Sequence, residues 1–145
     1  MPNRAIIKVI QNRDFTSVSS GTSVRQAALL MQRQQHGAAV VVNAEGHLVG
    51  ICTERDLSYK VLAAGLSAED TTVGEIMTTD PTAIGPDKPF GHALHLMFEG
   101  GFRHMPVVDA NNRPIGIVSA RDALGLEILH FRDELQLREE IAEIL

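Results

Sequence analysis

Residues 50–56 read GICTERD and residues 116–122 read GIVSARD, two near-copies whose leading glycines, Gly50 and Gly116, stand 66 residues apart. Carried backwards without a gap, that offset pairs Val41-Val42 with Val107-Val108, Leu30-Met31 with Leu96-Met97, Ala27 with Ala93 and Thr16 with Thr82. It also sets Val9-Ile10 on Glu75-Ile76, ahead of each copy's first extended piece. A register held over so many positions marks an internal duplication, and a repeat must be read before any element is assigned.

Each copy has the same order. A short extended piece, residues 16–19 and 82–85, leads into a helix. Ser23 and Gln26 form an S-x-x-Q start signal for the first helix, and Asp87 with Pro89 mark the start of the second. Val24, Ala27, Ala28 and Met31 recur at helical spacing, as do Phe90, Ala93, Leu94 and Met97. Two β-branched runs around a turn follow, AAVVV-NAEG-HLVGICT (38–53) and MPVV-DANN-RPIGIVS (105–119), each read as a hairpin. A second helix closes each copy, over 54–64 and 120–129. Each copy is therefore β-α-β-β-α, and the predicted fold is α/β with two repeats related by pseudo-twofold symmetry plus a C-terminal helix. One such unit of about 60 residues buries too little surface to be stable alone, so the copies are expected to pack on each other. The expected division is 1–66 for the first repeat, 67–129 for the second and 130–145 for a helical tail, with a short helical turn near 73–77 in the connection.

Composition narrows the function. The 145 residues are 44% apolar and 21% charged, ordinary for a globular protein, and no apolar run approaches the roughly 18 residues that cross a bilayer. The start, MPNRAIIKVIQNRD, has no long apolar centre or small-residue cleavage site, so no secretion signal is expected. The single cysteine, Cys52, has no internal disulfide partner and points to a reducing compartment, the cytoplasm. Thirteen basic against 18 acidic residues give a net charge of −5, and aromatics are only 4%. That chain offers neither the basic field nor the stacking platform a nucleic acid requires.

The tandem pattern resembles a pair of cystathionine β-synthase (CBS) domains, a Bateman module. The resemblance rests on EIMTTDPTAIGPD (75–87), FRHMPVVD (102–109) and GIVSARD in the second copy, with GICTERD in the first, and covers roughly residues 7–129. It implies an adenosine-containing ligand, AMP first and then ATP or NAD, held in clefts between the repeats, and a homodimer as the default assembly. S-adenosylmethionine belongs to the same ligand class.

Thr53-x-x-Asp56 and Ser119-x-x-Asp122 sit where a strand hands over to a helix. An ionised Asp offers two acceptor oxygens suited to paired ribose hydroxyls. The same spacing is also that of an ordinary capping box, and the two roles are compatible because a helix N-terminus favours phosphate nearby. Arg103 and His104 precede a strand at a position that in the family faces ligand phosphates. Their counterparts in the first copy are Gly37 and Ala38, which makes the clefts unequal. Residue by residue, the resemblance implies one cleft of Asp122, Arg121, Ser119, Ile117, Arg103 and His104, closed by Thr16, His36 and Gly37. The other combines Asp56, Arg55, Thr53 and Ile51 with Thr82, Phe102 and Arg103. Ile117 and Ile51 would offer backbone and apolar contact to a base. If one mononucleotide binds, the Asp122 cleft is the expected site.

Other signals lead elsewhere. His92 and His95 share a helix face but have no third ligand at suitable spacing, so no metal site is expected. Cys52 falls on Val118 across the repeat and reads as a core residue. No nucleophile with its base and no paired carboxylates in one site are legible, so an enzyme is not expected. In the tail, Leu124, Ile128, Phe131, Leu135, Ala142 and Leu145 follow four-three spacing, interrupted by Arg138, which fits packing on its own domain or a partner contact. The reading is a regulatory module sensing adenine nucleotides through its conformation or through dimer and partner contacts. The alternative, favoured by the uncharged Gly37-Ala38 pair and the apolar tail, is a dimerisation scaffold or protein-interaction module that binds no ligand.

Overall fold

A computed structural model describes residues 4–144, without the side chains of 126–131. A short helix α1 (Ile6–Ile10) precedes the first repeat, which runs β1 (Thr16–Ser19), α2 (Val24–Gln34), β2 (Ala38–Val42) and β3 (Leu48–Thr53). Its closing helix begins as α3 (Glu54–Asp56) and continues as a π-helical segment, Leu57–Leu62. After α4 (Val73–Ile76) and β4 (Thr78–Thr79), the second repeat supplies α5 (Phe90–Gly100), β5 (His104–Val108), β6 (Pro114–Ser119) and α6 (Arg121–Ile144).

Strand pairing repeats with the sequence. β1 runs parallel to β2, and β2 is antiparallel to β3 with Ala38 opposite Thr53. In the second repeat β5 is antiparallel to β6 with His104 opposite Ser119. The register slips between Val41 and Val42 in one hairpin and between Val107 and Val108 in the other, positions related by the repeat offset. The expected extended piece at 82–85 is shorter than its counterpart: only Ile84 pairs, bridging in parallel to Val107. Pro81 and Pro86 flank it, and a residue without an N–H cannot prolong a ladder. β4, which the sequence does not signal, pairs antiparallel with β3.

The helix starts fall where expected, with one support the sequence does not show. Ser23 does cap α2, its hydroxyl accepting from the Gln26 N–H at 3.1 Å. α5 instead has Pro89 at its N-cap with no side-chain cap. The first N–H of each helix donates to a carbonyl from outside its own repeat body, Phe90 to Arg4 at 2.7 Å and Val24 to Thr71 at 2.9 Å. Matching bridges join Ala5 with Pro89 and Ser23 with Thr72.

This exchange extends into the cores. Ile6 and Ile10 of α1 are buried with Phe90, Met97, Met105 and Val118 around the second repeat. Val73 and Ile76 of α4 are buried with Val24, Met31, Val41 and Cys52 around the first. Gly50 and Gly116 make room for these segments. A Cβ on Gly116 would lie 2.8 Å from Ile10 Cδ1 and 3.1 Å from Ile10 Cβ, and one on Gly50 would collide with Met77 Sδ. The leading glycines of the two motifs are thus the points where a strand receives the flanking helical segment.

Cys52 is fully buried among the first core's apolar residues. Burial, then the nearby Asp56 charge, pushes its thiol up to about 12, so it stays protonated and unreactive at neutral pH.

α6 runs unbroken for 24 residues, about 36 Å at 1.5 Å per residue, joining the expected closing helix and tail into one rod. Every described residue from 132 to 144 is exposed, including Leu135, Leu137, Ile141 and Ile144. Of the four-three pattern, Leu145 and the side chains of Ile128 and Phe131 lie outside what is described. No helix among the described residues is long and apolar enough to cross a membrane.

Candidate functional site

Both strand–helix junctions fold an Asp back onto the backbone N–H of the strand's last residue. Asp56 Oδ2 accepts from the Thr53 N–H at 2.9 Å while Thr53 Oγ1 accepts from the Asp56 N–H at 3.2 Å, a reciprocal capping box. Asp122 Oδ2 accepts from the Ser119 N–H at 2.8 Å. The capping box is complete in the first copy and its carboxylate half recurs in the second, and these bonds hold each carboxylate at the mouth of a cleft walled by both repeats.

The larger cleft encloses about 1050 Å³. It brings together Ile117, Ser119, Arg121 and Asp122 from β6 and α6, Arg103 and His104 from the start of β5, and His36 and Gly37 from the opposite repeat. Thr16 is not on its wall. Alternation along β1 turns Thr16 and Val18 to the buried face, and the Thr16 hydroxyl bonds to Gln34 and, at 2.8 Å, to His36 Nδ1. Thr16 thus positions His36 from behind.

The smaller cleft, about 430 Å³, gathers Ile51, Thr53, Arg55 and Asp56 with Thr82, Phe102 and Arg103. Thr82 faces this cleft where Thr16 does not face the other, because the stretch around it is not held in a ladder. The Phe102 ring lies directly over Gly100, where any side chain would collide with it. Arg55 stacks against Tyr59, its guanidinium carbon 6.0 Å from the ring centre.

Two cations that sequence reading passed over hold the carboxylates. Lys60 Nζ lies 3.0 Å from Asp56 Oδ1 and also donates to the Ile76 carbonyl at 3.1 Å. Arg13 forks onto both oxygens of Asp122, and those hydrogen bonds, outweighing partial burial, raise its already high pKa. Lys60 follows Asp56 at i+4 and could have been found from spacing. Arg13 sits in a polar stretch with a threonine, Thr79, as its repeat counterpart, and nothing in the sequence signals its reach.

Glu54, Arg103 and His104 line both clefts and form the partition between them. The bare Gly37 makes this possible: a Cβ there would lie 3.1 Å from both Glu54 Oε1 and His104 Nε2. Burial lowers the His104 pKa below its ordinary value, against the opposing pull of Glu54 and Asp122. At neutral pH the ring is a hydrogen-bonding group rather than a charge. Among the described residues no three His, Cys, Asp or Glu side chains are grouped to hold a metal, and His95 pairs with Glu99 at 3.2 Å.

Known proteins share this arrangement. A family model for the CBS domain matches twice, over residues 7–63 and 73–128. An uncharacterised protein of Methanopyrus kandleri is 32% identical over 118 residues, 81% of this chain and 60% of that protein. A 17.7 kDa protein of Acidianus ambivalens is 36% identical over 105 residues, 72% of this chain and 62% of that protein. The chain thus spans about three fifths of these relatives. Among solved structures, the CBS-domain containing protein ATU1752 from Agrobacterium tumefaciens superposes with a TM-score of 0.76 at 29% identity, covering 86% of this chain and 99% of that one. The CBS domain pair of protein MJ0100, solved in complex with 5′-methylthioadenosine and S-adenosyl-L-methionine, does so at 0.77 and 28%, covering 86% and 96%. The duplicated junctions, the paired clefts and the two family matches agree: the chain belongs to the CBS domain family and carries a tandem CBS pair.

Proposed function

We propose that this CBS pair is a regulatory module that binds an adenosine-containing ligand, AMP before ATP or NAD, in the clefts between its repeats. The observation that carries the reading is the placement of Asp56 and Asp122, each at a helix N-terminus, at the edge of a cleft whose walls come from both repeats. A ligand there touches both units at once, and its differing affinity for their relative arrangements is the signal. The related pair bound to methylthioadenosine and S-adenosylmethionine supports the ligand class. The larger cleft, with Arg13, Arg103 and Arg121 on its wall against Arg55 and Arg103 in the smaller, is the better site for a phosphorylated ligand. The module's proposed role is binding and relay, the two duplicated aspartates serving as equivalent ligand anchors in separate clefts. Its single buried thiol fits the cytoplasm.

The output passes through a partner or a second copy. The exposed apolar residues of α6 also favour the competing reading of a scaffold that pairs through this helix and binds no ligand. Calorimetric titration of nucleotide-stripped protein with AMP, ATP, NAD and S-adenosylmethionine separates the two. Micromolar binding of at least one ligand is expected. No heat from any of the four, and no competition among them, overturns the sensor and leaves the scaffold.

A further inference from the structure

The larger cleft holds a cation where a nucleoside would sit. Arg13, on the segment between α1 and β1, donates Nη1 to Asp122 Oδ1 and Nη2 to Asp122 Oδ2, both at 2.8 Å. Nη2 also donates to the Ile117 carbonyl at 2.8 Å. These are the two groups that the adenosine reading gives to the ligand, the carboxylate for the ribose hydroxyls and the β6 backbone for the base. With the Ser119 N–H on Oδ2 as well, three of the carboxylate's roughly four acceptor positions are filled. The smaller cleft is built otherwise: Asp56 is paired by Lys60 from its own helical turn, on one carboxylate oxygen only.

The geometry points to Arg13 as the selectivity residue of the larger cleft, favouring an adenosine ligand that carries a phosphate over uncharged adenosine. This rests on the adenosine reading and sharpens it. A ribose diol can take both oxygens of Asp122 only by displacing the guanidinium. The displaced group then loses three short hydrogen bonds, two of them to a charged acceptor, the strong kind. A phosphate on the same ligand offers it new oxygens in the same planar fork geometry, whereas adenosine offers none. The other carboxylates on the wall, Asp14 and Glu54, are matched in number by Arg103 and Arg121, with His36 and His104 as the remaining titratable groups. With Asp122 and Arg13 added the wall is balanced, three carboxylates to three guanidinium groups, so no excess of negative charge opposes an incoming phosphate. Its side chain is 39% exposed and lies in the exposed stretch 11–14, so it swings without repacking a core.

The test is calorimetric titration of the full chain with adenosine, AMP and S-adenosylmethionine, using wild type, Arg13→Gln and Arg13→Lys, with thermal melts to verify folding. Wild type is expected to prefer AMP to adenosine by at least about tenfold, the equivalent of one charged hydrogen bond. Arg13→Gln should shrink that ratio by about tenfold, with adenosine itself binding more tightly because nothing has to be displaced. Arg13→Lys, which keeps the charge and loses the fork, should lie between. An unchanged AMP-to-adenosine ratio in Arg13→Gln overturns the proposal, as does an equal loss for both ligands, which would make Arg13 a uniform contact. If no adenosine ligand binds wild type or either variant, the adenosine reading itself has failed, and the selectivity role falls with it.

Discussion

Truncating Ile6 to alanine is expected to destabilise the protein by about 2–5 kcal/mol, the range for emptying a buried aliphatic site. Ile6 precedes the first repeat in sequence, yet it is fully buried against the second repeat's core. Its N–H donates to the Lys88 carbonyl at 2.9 Å, and the next N–H, of Ile7, donates to Pro86 at 2.9 Å, so the backbone is pinned and the cavity cannot close by a shift of α1. Ile7 is the control. It is 40% exposed, and Ile7→Ala should cost under about 1 kcal/mol. Urea unfolding followed by circular dichroism reads both. Equal losses for the two variants would mean that α1 is not part of the second repeat's core.

The second large effect is on binding, and it is unequal between the clefts. Asp122→Asn keeps the side-chain shape and an oxygen to accept the Ser119 N–H, but removes the charge that strengthens hydrogen bonds from ribose hydroxyls. Losing about 1.5–3 kcal/mol from such bonds weakens AMP by roughly 10–100-fold. Asp56→Asn acts on a cleft of 430 Å³ rather than 1050 Å³ and should change the first binding equivalent by less than about threefold, within a few tenths of a kcal/mol. Each substitution also weakens the hydrogen bond that the carboxylate accepts from the Thr53 or Ser119 N–H, so affinities are compared well below the melting transition. The reverse order, with Asp56→Asn the damaging change, would move the principal site to the smaller cleft.

The duplication, the β-α-β-β-α order and the Asp-bearing junctions were legible because they rest on local patterns: apolar period, turn residues and a capping spacing repeated at 66 residues. What crosses between the repeats was not. Arg4 capping α5, Ile6 and Ile10 filling the second core, and Arg13 reaching Asp122 are contacts over about 80 to 110 residues, and no periodicity encodes them. Gly50 and Gly116 were conspicuous as the opening letters of two motifs, but their reason, room for Met77 and Ile10, appears only in three dimensions. Thr16 teaches a different lesson. The alternation Thr16, Ser17, Val18, Ser19 already puts residues 16 and 18 on one face, and Val18 belongs to the core. Period-two reasoning alone would have turned the Thr16 hydroxyl away from the cleft. By contrast Gly37, noted for its missing charge, matters more for its missing side chain, since it admits Glu54 and His104 to the partition.

Whether a ligand bridges the two repeats at the Asp122 cleft is read most directly by an amide-resonance titration of the isotope-labelled chain with AMP. The predicted result is a saturable set of shifts at Ile117, Ser119, Arg121 and Asp122 together with His36 and Gly37 across the cleft, at one common affinity. Shifts confined to one repeat, or to the exposed face of α6 with the cleft amides unmoved, would contradict it.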